Sequence, residues 1–317
     1  MLIWVSTFAI VIPMIAYVWA AKKFDTYESN YVLSTLKGYL SGAVGAVFFS
    51  IIFSLLAYKL LSALLSDTFG LEKIEAILIA PVIEELTKGI FLFFIIKNKK
   101  VCSITEGMII GGAIGLSFGL VENIFYFSLH SNSYSTLASL VLYRTFFSAV
   151  MHCISTGIMG AFFSYIKFFN SPTKCSFYFM GFLTAVVIHS TWNFCSNANI
   201  LLNLGYLFLI VATITFIVTY FFSASQQKKH FYKELKEESE NGLIPMQQIE
   251  FLNSKNKNKI RWVDESKRKA YIKAVITLAF RKIQYKNAGI NDKEILEKDI
   301  TEYRTVVSKI INEISET

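Results

Sequence analysis

The sequence predicts an all-α protein, a polytopic membrane helix bundle of about seven (at most eight) transmembrane helices followed by a helical cytosolic tail. Three observations predict it. Of 317 residues 54% are hydrophobic and the mean hydropathy is +0.47, above the values of ordinary soluble domains. The apolar residues fall in blocks long enough to cross a bilayer at about 1.5 Å per residue. The charges gather between these blocks and after the last one, with 19 of the 31 Lys/Arg and 14 of the 23 Asp/Glu in residues 224–317. The net charge of +8 is therefore read by location, as topology, and not as a nucleic-acid surface. Residues 1–223 read as a membrane-embedded bundle and 224–317 as a cytosolic linker with a helical tail. Cys102, Cys153, Cys175 and Cys195 have no CxxC spacing, which argues against a disulfide framework or a thiolate metal cage.

The first span runs from about Leu2 to Ala21 and lacks a basic segment ahead of its apolar run, so it reads as a retained helix. The second covers about Tyr39 to Leu65, with Gly42 and Gly45 as small contacts for a neighbour. The third, Ile74 to Ile96, ends on Lys97-Asn98-Lys99-Lys100. The fourth, about Ile104 to Phe127, opens with Gly107, Gly111, Gly112 and Gly115, a face that lets another backbone approach. From Thr136 to Phe169 the apolar stretch exceeds one straight crossing, and we place an interfacial piece first and the fifth span at about Val141 to Ile166. Arg144, near its outer boundary, reads as a snorkelling residue. The sixth and seventh spans cover about Ser176 to Ser196 and Leu202 to Phe222. Seven crossings put Lys22/Lys23, Lys97/Lys99/Lys100, Lys167/Lys174 and Lys228/Lys229 on one side, which predicts an outside N-terminus and a cytoplasmic C-terminus. Beyond Ser223, residues 224–262 read as linker, broken at Asn241-Gly-Leu-Ile-Pro245. Helical periodicity returns in Lys267–Tyr285 and Lys293–Ile314, with Asn291 as the N-cap of the second. This appendage carries no catalytic motif and is open to a cytosolic partner.

Polar groups inside the spans stand out against this background. Glu84, Glu85 and Lys88 lie in the middle of the third, at roughly 2.5–3.5 kcal/mol each on insertion scales. Glu122 lies on the fourth, His152 on the fifth, and His189 with Asn193 on the sixth. Glu84–Lys88 and His189–Asn193 are i, i+4 pairs, so each pair shares a helix face. Each group alone has a plain explanation, such as a self-neutralising ion pair or an interhelical amide. Four spans doing this together predict one polar pocket between the midplane and the outer leaflet.

Hydrolysis of a peptide bond in a bilayer needs a water-holding cavity, a base and an oxyanion donor. Two close carboxylates divide the acid and base roles, and histidines with glutamates also suit a Zn²⁺ site with an open position. In that reading Glu122, His152 and His189 are the metal ligands, Glu84 or Glu85 is the general base, and Asn193 donates to the oxyanion.

Glu-Glu-x-x-Lys at 84–88, Phe-x-x-x-Glu at 118–122, an isolated His152 ahead of small residues and His-x-x-x-Asn at 189–193 resemble the PrsW family of intramembrane proteases. That family sits in a wider group with CAAX prenyl proteases and bacteriocin-processing or immunity proteins. The resemblance covers roughly residues 75–200 and adds Lys88 and Phe118 as supporting residues. The CAAX branch has Arg at the place of Lys88 and His at that of Glu122, so a prenylated substrate is not expected. The resemblance implies a bacterial cell-membrane enzyme that cuts a membrane-anchored protein, anti-sigma factors being the known type. It implies either a Zn²⁺ enzyme or a glutamate-dependent one without metal. The chain fits both, with a slight preference for a metal-free or weakly held site. Two other readings compete: an ion- or proton-coupled transporter using the buried acids as a relay, and a catalytically silent immunity or scaffold member.

Overall fold

The computed structural model describes residues 2–24, 31–64, 70–99, 102–130, 134–170, 174–198, 201–253 and 265–315. Every regular element among them is helical: α1 (Leu2–Phe24), α2 (Tyr31–Leu40), α3 (Val47–Leu64), α4 (Leu71–Ile74), α5 (Ala80–Asn98), α6 (Ile104–His130), α7 (Tyr134–Tyr143), α8 (Ala149–Phe169), α9 (Lys174–Asn197), α10 (Leu202–Glu240), α11 (Met246–Asn253), α12 (Glu265–Lys286) and α13 (Ile290–Ser315). Five helical stretches are long and apolar enough to cross a membrane: Leu33–Leu64, Ile104–Leu129, Ser135–Phe169, Cys175–Asn197 and Leu202–Glu240. The α4–α5 stretch matches them in length. The charges of Glu84, Glu85 and Lys88 lower its hydropathy, and these are the groups the bundle interior has to accommodate.

Helix α6 is the central post, and its pairing with α8 organises the bundle. Glycines at 107, 111, 115 and 119 fall on one face of α6, four residues apart. A Cβ at Gly111 would run into the Thr156 carbonyl, and one at Gly115 into the carbonyl of His152. The two backbones therefore touch directly, and this contact sets the depth of His152. Gly115→Ala is expected to cost about 1–3 kcal/mol and to lower the unfolding temperature in detergent. Gly289→Ala, where a new Cβ meets nothing within 4 Å, is the matched control and should leave that temperature unchanged.

Among the described residues, three π-helical segments interrupt the spans, at Ser41–Ala46, Glu75–Ile79 and Arg144–Ser148. The third corrects the reading of the fifth span. An interfacial piece was expected ahead of a separate crossing, but α7, the π segment and α8 form one continuous helical path from Tyr134 to Phe169. The extra residue per turn changes the helix face locally and rotates Arg144 inward, where it is buried.

The stretch expected to be linker differs more. Helix α10 runs past its apolar part to Glu240, the chain breaks at Asn241–Pro245 with Gly242 at φ +78°, and α11 follows. The remaining part of that stretch, 254–264, lies outside the described residues, as do Lys100 and Ser66–Thr68. Helix α13 begins at Ile290, one residue before the expected cap, and the Gly289 carbonyl accepts from the amides of Asp292 and Lys293.

Residues of α10, α11, α12 and α13 share one apolar core, with Tyr271, Phe280 and Val307 at its centre, and Phe168 from the end of α8 is buried in it. Lys282 Nζ donates to Glu238 Oε1 at 2.6 Å and to the Glu234 carbonyl at 3.0 Å, while Arg304 forks onto the Glu238 carboxylate at 2.8 and 2.9 Å. Glu238 holds the Arg304 guanidinium above its usual pKa by accepting these bonds. At this end of the bundle Lys167 Nζ caps the carbonyls of Ile96 and Lys97, and Lys99 pairs with Glu106. Gln284 donates to the Lys167 carbonyl at 2.6 Å. The basic ends of α5 and α8 and the C-terminal helices thus lie together.

Candidate active site

The polar residues of α5, α6, α8 and α9 converge inside the bundle. The π segment ahead of α5 helps to fix its register. In π geometry the Ala76 carbonyl would pair with the amide of residue 81, and Pro81 has no N–H to give. Asn193 Nδ2 supplies the donor instead, at 2.8 Å. Expected as an oxyanion donor, Asn193 thus has its amide engaged in holding α9 against the entry to α5.

One turn further on, Glu85 and Lys88 are fully buried. Glu85 Oε1 accepts from Lys88 Nζ at 2.9 Å, Ser155 Oγ at 3.2 Å and His189 Nδ1 at 3.1 Å, and Oε2 accepts from Thr156 Oγ1 at 3.1 Å. Four donors converge on this buried carboxylate, three of them on Oε1. It orients its neighbours. By taking the proton-bearing Nδ1 of His189 it leaves the Nε2 lone pair free on the side of Glu84, 3.9 Å from its Oε2.

Lys88 performs the matching task on His152. Its ammonium only donates and stands 2.9 Å from His152 Nδ1, so that nitrogen accepts and Nε2 carries the proton, donating to Glu122 Oε2 at 2.9 Å. Phe118 lies beneath the ammonium, 4.0 Å from the ring centre, and packs beside the His152 ring. The two imidazoles meet edge to face with centroids 4.6 Å apart.

Glu84 differs from its neighbour. Its Oε2 is buried without a hydrogen-bond partner, 3.5 Å from Lys88 Nζ and 3.9 Å from His189 Nε2. An orphaned buried carboxylate oxygen is rare enough to demand an explanation. Glu122, by contrast, is engaged. Its Oε2 takes Arg144 Nη2 at 2.8 Å beside His152, and the side chain is 25% exposed. Arg144 also donates from Nε to Asn123 Oδ1 at 2.9 Å and lies over the Tyr126 ring.

The cluster therefore contains Glu84, Glu85, Lys88, Phe118, Glu122, His152 and His189, with Asn193 at its edge. Reading the sequence missed Arg144, and Ser155 and Thr156 with it. The hydroxyls carried a signal, since they follow His152 at i+3 and i+4 and so share its helix face. Arg144 carried none, because the π segment that turns it inward has no sequence signature. Trp192 is buried in an aromatic cluster with Phe147 and Tyr206, where it packs α9 against its neighbours.

The same geometry bears on a metal. Among the described residues, one oxygen of Glu84 and one nitrogen each of His152 and His189 lie within 4.8 Å of one another. One carboxylate and two imidazoles form a donor set that catalytic zinc sites use. The orphaned Glu84 oxygen and the carboxylate behind His189 also fit a cation. Glu84 is the carboxylate that lies within reach of both histidines, where Glu122 was expected; Glu122 Oε2 is bonded to Arg144 and His152.

The family model for PrsW family intramembrane metalloproteases matches residues 32–221. The chain belongs to this family. The match spans every helix that contributes to the cluster and ends within α10, before α11, α12 and α13. No curated protein and no solved structure matches the chain. Membership in the PrsW family makes it a multi-pass membrane protein of a peptidase family, as the four motifs implied.

Within a PrsW-type site, Arg144 positions Glu122. Arg144→Met leaves that carboxylate without its strongest partner and is expected to lower the initial cleavage rate about 10- to 100-fold. Arg144→Lys keeps the charge but loses the planar fork that reaches both Glu122 and Asn123, and should recover only part of the rate.

Proposed function

We propose that the protein is an intramembrane endopeptidase that hydrolyses a peptide bond of a membrane-anchored protein, of the anti-sigma-factor type. The orphaned Glu84 oxygen beside two histidines of opposite tautomer is the observation that carries this reading. Glu84, His189 through Nε2, and His152 on giving up the Nε2 proton that it donates to Glu122, would hold a Zn²⁺ ion, which when bound would lower the pKa of water and polarise a carbonyl. The protein's own groups do the rest. Glu85 keeps His189 Nε2 free, and Lys88 holds His152 in place. Glu122, the most open of the acids and aligned by Arg144, takes the proton of the attacking water and returns it to the departing amine. The water oxygen ends on the new carboxylate, and the peptide C–N bond breaks.

The basic ends of α5 and α8 and the C-terminal helices share one end of the bundle, which supports a cytoplasmic C-terminus in a bacterial cell membrane. No observation favours a transporter over this reading. The test compares new protein N-termini in membranes of cells carrying the native chain or Glu84→Gln. New termini within or beside transmembrane segments should appear only with the native chain, and their persistence in the variant would sink the proposal. Zinc analysis of purified protein assigns the ligands. The native chain and Glu122→Gln should retain about one equivalent, whereas His189→Ala should retain little.

A further inference from the structure

A cavity of about 390 Å³, away from the polar cluster, lies between α8, α9 and α10. That is at the lower end of volumes that hold small-molecule ligands. Its walls are aromatic and include Phe162, Tyr165, Phe169, Phe177 and Phe222. Phe222 is 62% exposed on the outer face of the bundle, so the cavity borders the lipid-facing surface. On α10 the lining residues Thr219, Phe222, Ser223, Gln226, Gln227 and His230 form a stripe that is polar except at Phe222. The stripe ends where α10 leaves its apolar run and meets Lys228-Lys229, the boundary between hydrocarbon and headgroup.

Gln227 gives this cavity its chemistry. Its residue is 1% exposed, and its Oε1 accepts from Thr105 Oγ1 at 3.2 Å, which fixes the amide plane. The Nε2 donor on the other side is buried and meets no acceptor. A buried amide donor with no partner, in the wall of an aromatic cavity, calls for an oxygen acceptor that arrives with an apolar body. We propose that this cavity is a specific site for a glycerophospholipid. One acyl chain lies among the phenylalanines, and an ester or phosphate oxygen accepts from Gln227 Nε2. The site is independent of the peptidase reading and shares no residue with the polar cluster.

The test is native mass spectrometry of the purified full-length chain titrated with dioleoyl phosphatidylglycerol. The native chain should hold one lipid more tightly than the rest. Gln227→Leu should weaken that site about five- to tenfold, the worth of one hydrogen bond. Ala161→Trp, which fills the cavity, should remove the tight site. The lipid-free Gln227→Leu protein should unfold at the same or a higher temperature, because an orphaned donor has been replaced by an apolar group. A merely structural Gln227 would instead lower it. Unchanged lipid affinity in both variants would overturn the proposal, and so would binding of glycerol 3-phosphate alone, which has no acyl chain.

Discussion

Glu84→Gln is expected to reduce cleavage of a membrane-anchored substrate by at least about 10³-fold while leaving the amount and unfolding temperature of the protein unchanged. The reason is the isolation of its Oε2, which is buried without a hydrogen-bond partner. The amide is nearly isosteric and removes a negative charge that no hydrogen bond of the fold depends on. A metal ion's stabilisation of the transition state is worth several kcal/mol, and losing one of the ligands that hold it forfeits that contribution. Rates come from initial cleavage of a co-expressed single-span substrate, and stability from thermal unfolding in detergent. Substantial residual activity at full stability would move the reacting centre away from Glu84.

Glu85→Ala should behave in the opposite way. Four donors end on this carboxylate, and Lys88, fully buried, would keep its 3.5 Å approach to Glu84, its contact with His152 and the Phe118 ring beneath it, but no carboxylate at hydrogen-bond distance. Removing one partner of a buried ion pair costs about 3–5 kcal/mol. We expect a fall in unfolding temperature and in membrane accumulation, together with lost activity, because His189 loses the acceptor that sets its tautomer. A double variant, Glu85→Ala with Lys88→Met, removes the stranded charge and should recover stability but not cleavage. If Glu85→Ala were as stable as the native chain, the division between a reacting Glu84 and an orienting Glu85 would be wrong.

These two adjacent acids show where reading the chain stops. Their placement in one apolar span, with Lys88 a turn later, marked them as functional, and their spacing with Glu122, His152 and His189 pointed to the PrsW family. Which of the two is satisfied and which is left open depends on Ser155, Thr156 and His189 arriving from other helices, and no spacing within α5 encodes that. The exchange of Glu122 for Glu84 in the candidate metal trio has the same origin. Arg144 expected at the lipid boundary turns inward through a π segment and occupies the Glu122 oxygen. Asn193 was legible as a polar group at the right depth, but its partner, a carbonyl left short of a donor by Pro81, was not.

The tail was legible in part. The periodicity of α12 and α13 and the break at Asn241–Pro245 follow from local composition. The continuation of α10 to Glu240 does not, because its charged last turns look like a solvated linker until Lys282 of α12 and Arg304 of α13 neutralise Glu238.

The sequence by itself determined the fold class, the approximate spans, the glycine face of α6 and the identity of most cluster residues. Hydropathy, small-residue spacing and the cost of charge in hydrocarbon are properties of one segment at a time. Only the tertiary structure decided the roles, since a tautomer, an orphaned oxygen or a shared cation is a relation between side chains on different helices. Those relations are fixed by the depth at which α6 and α8 touch.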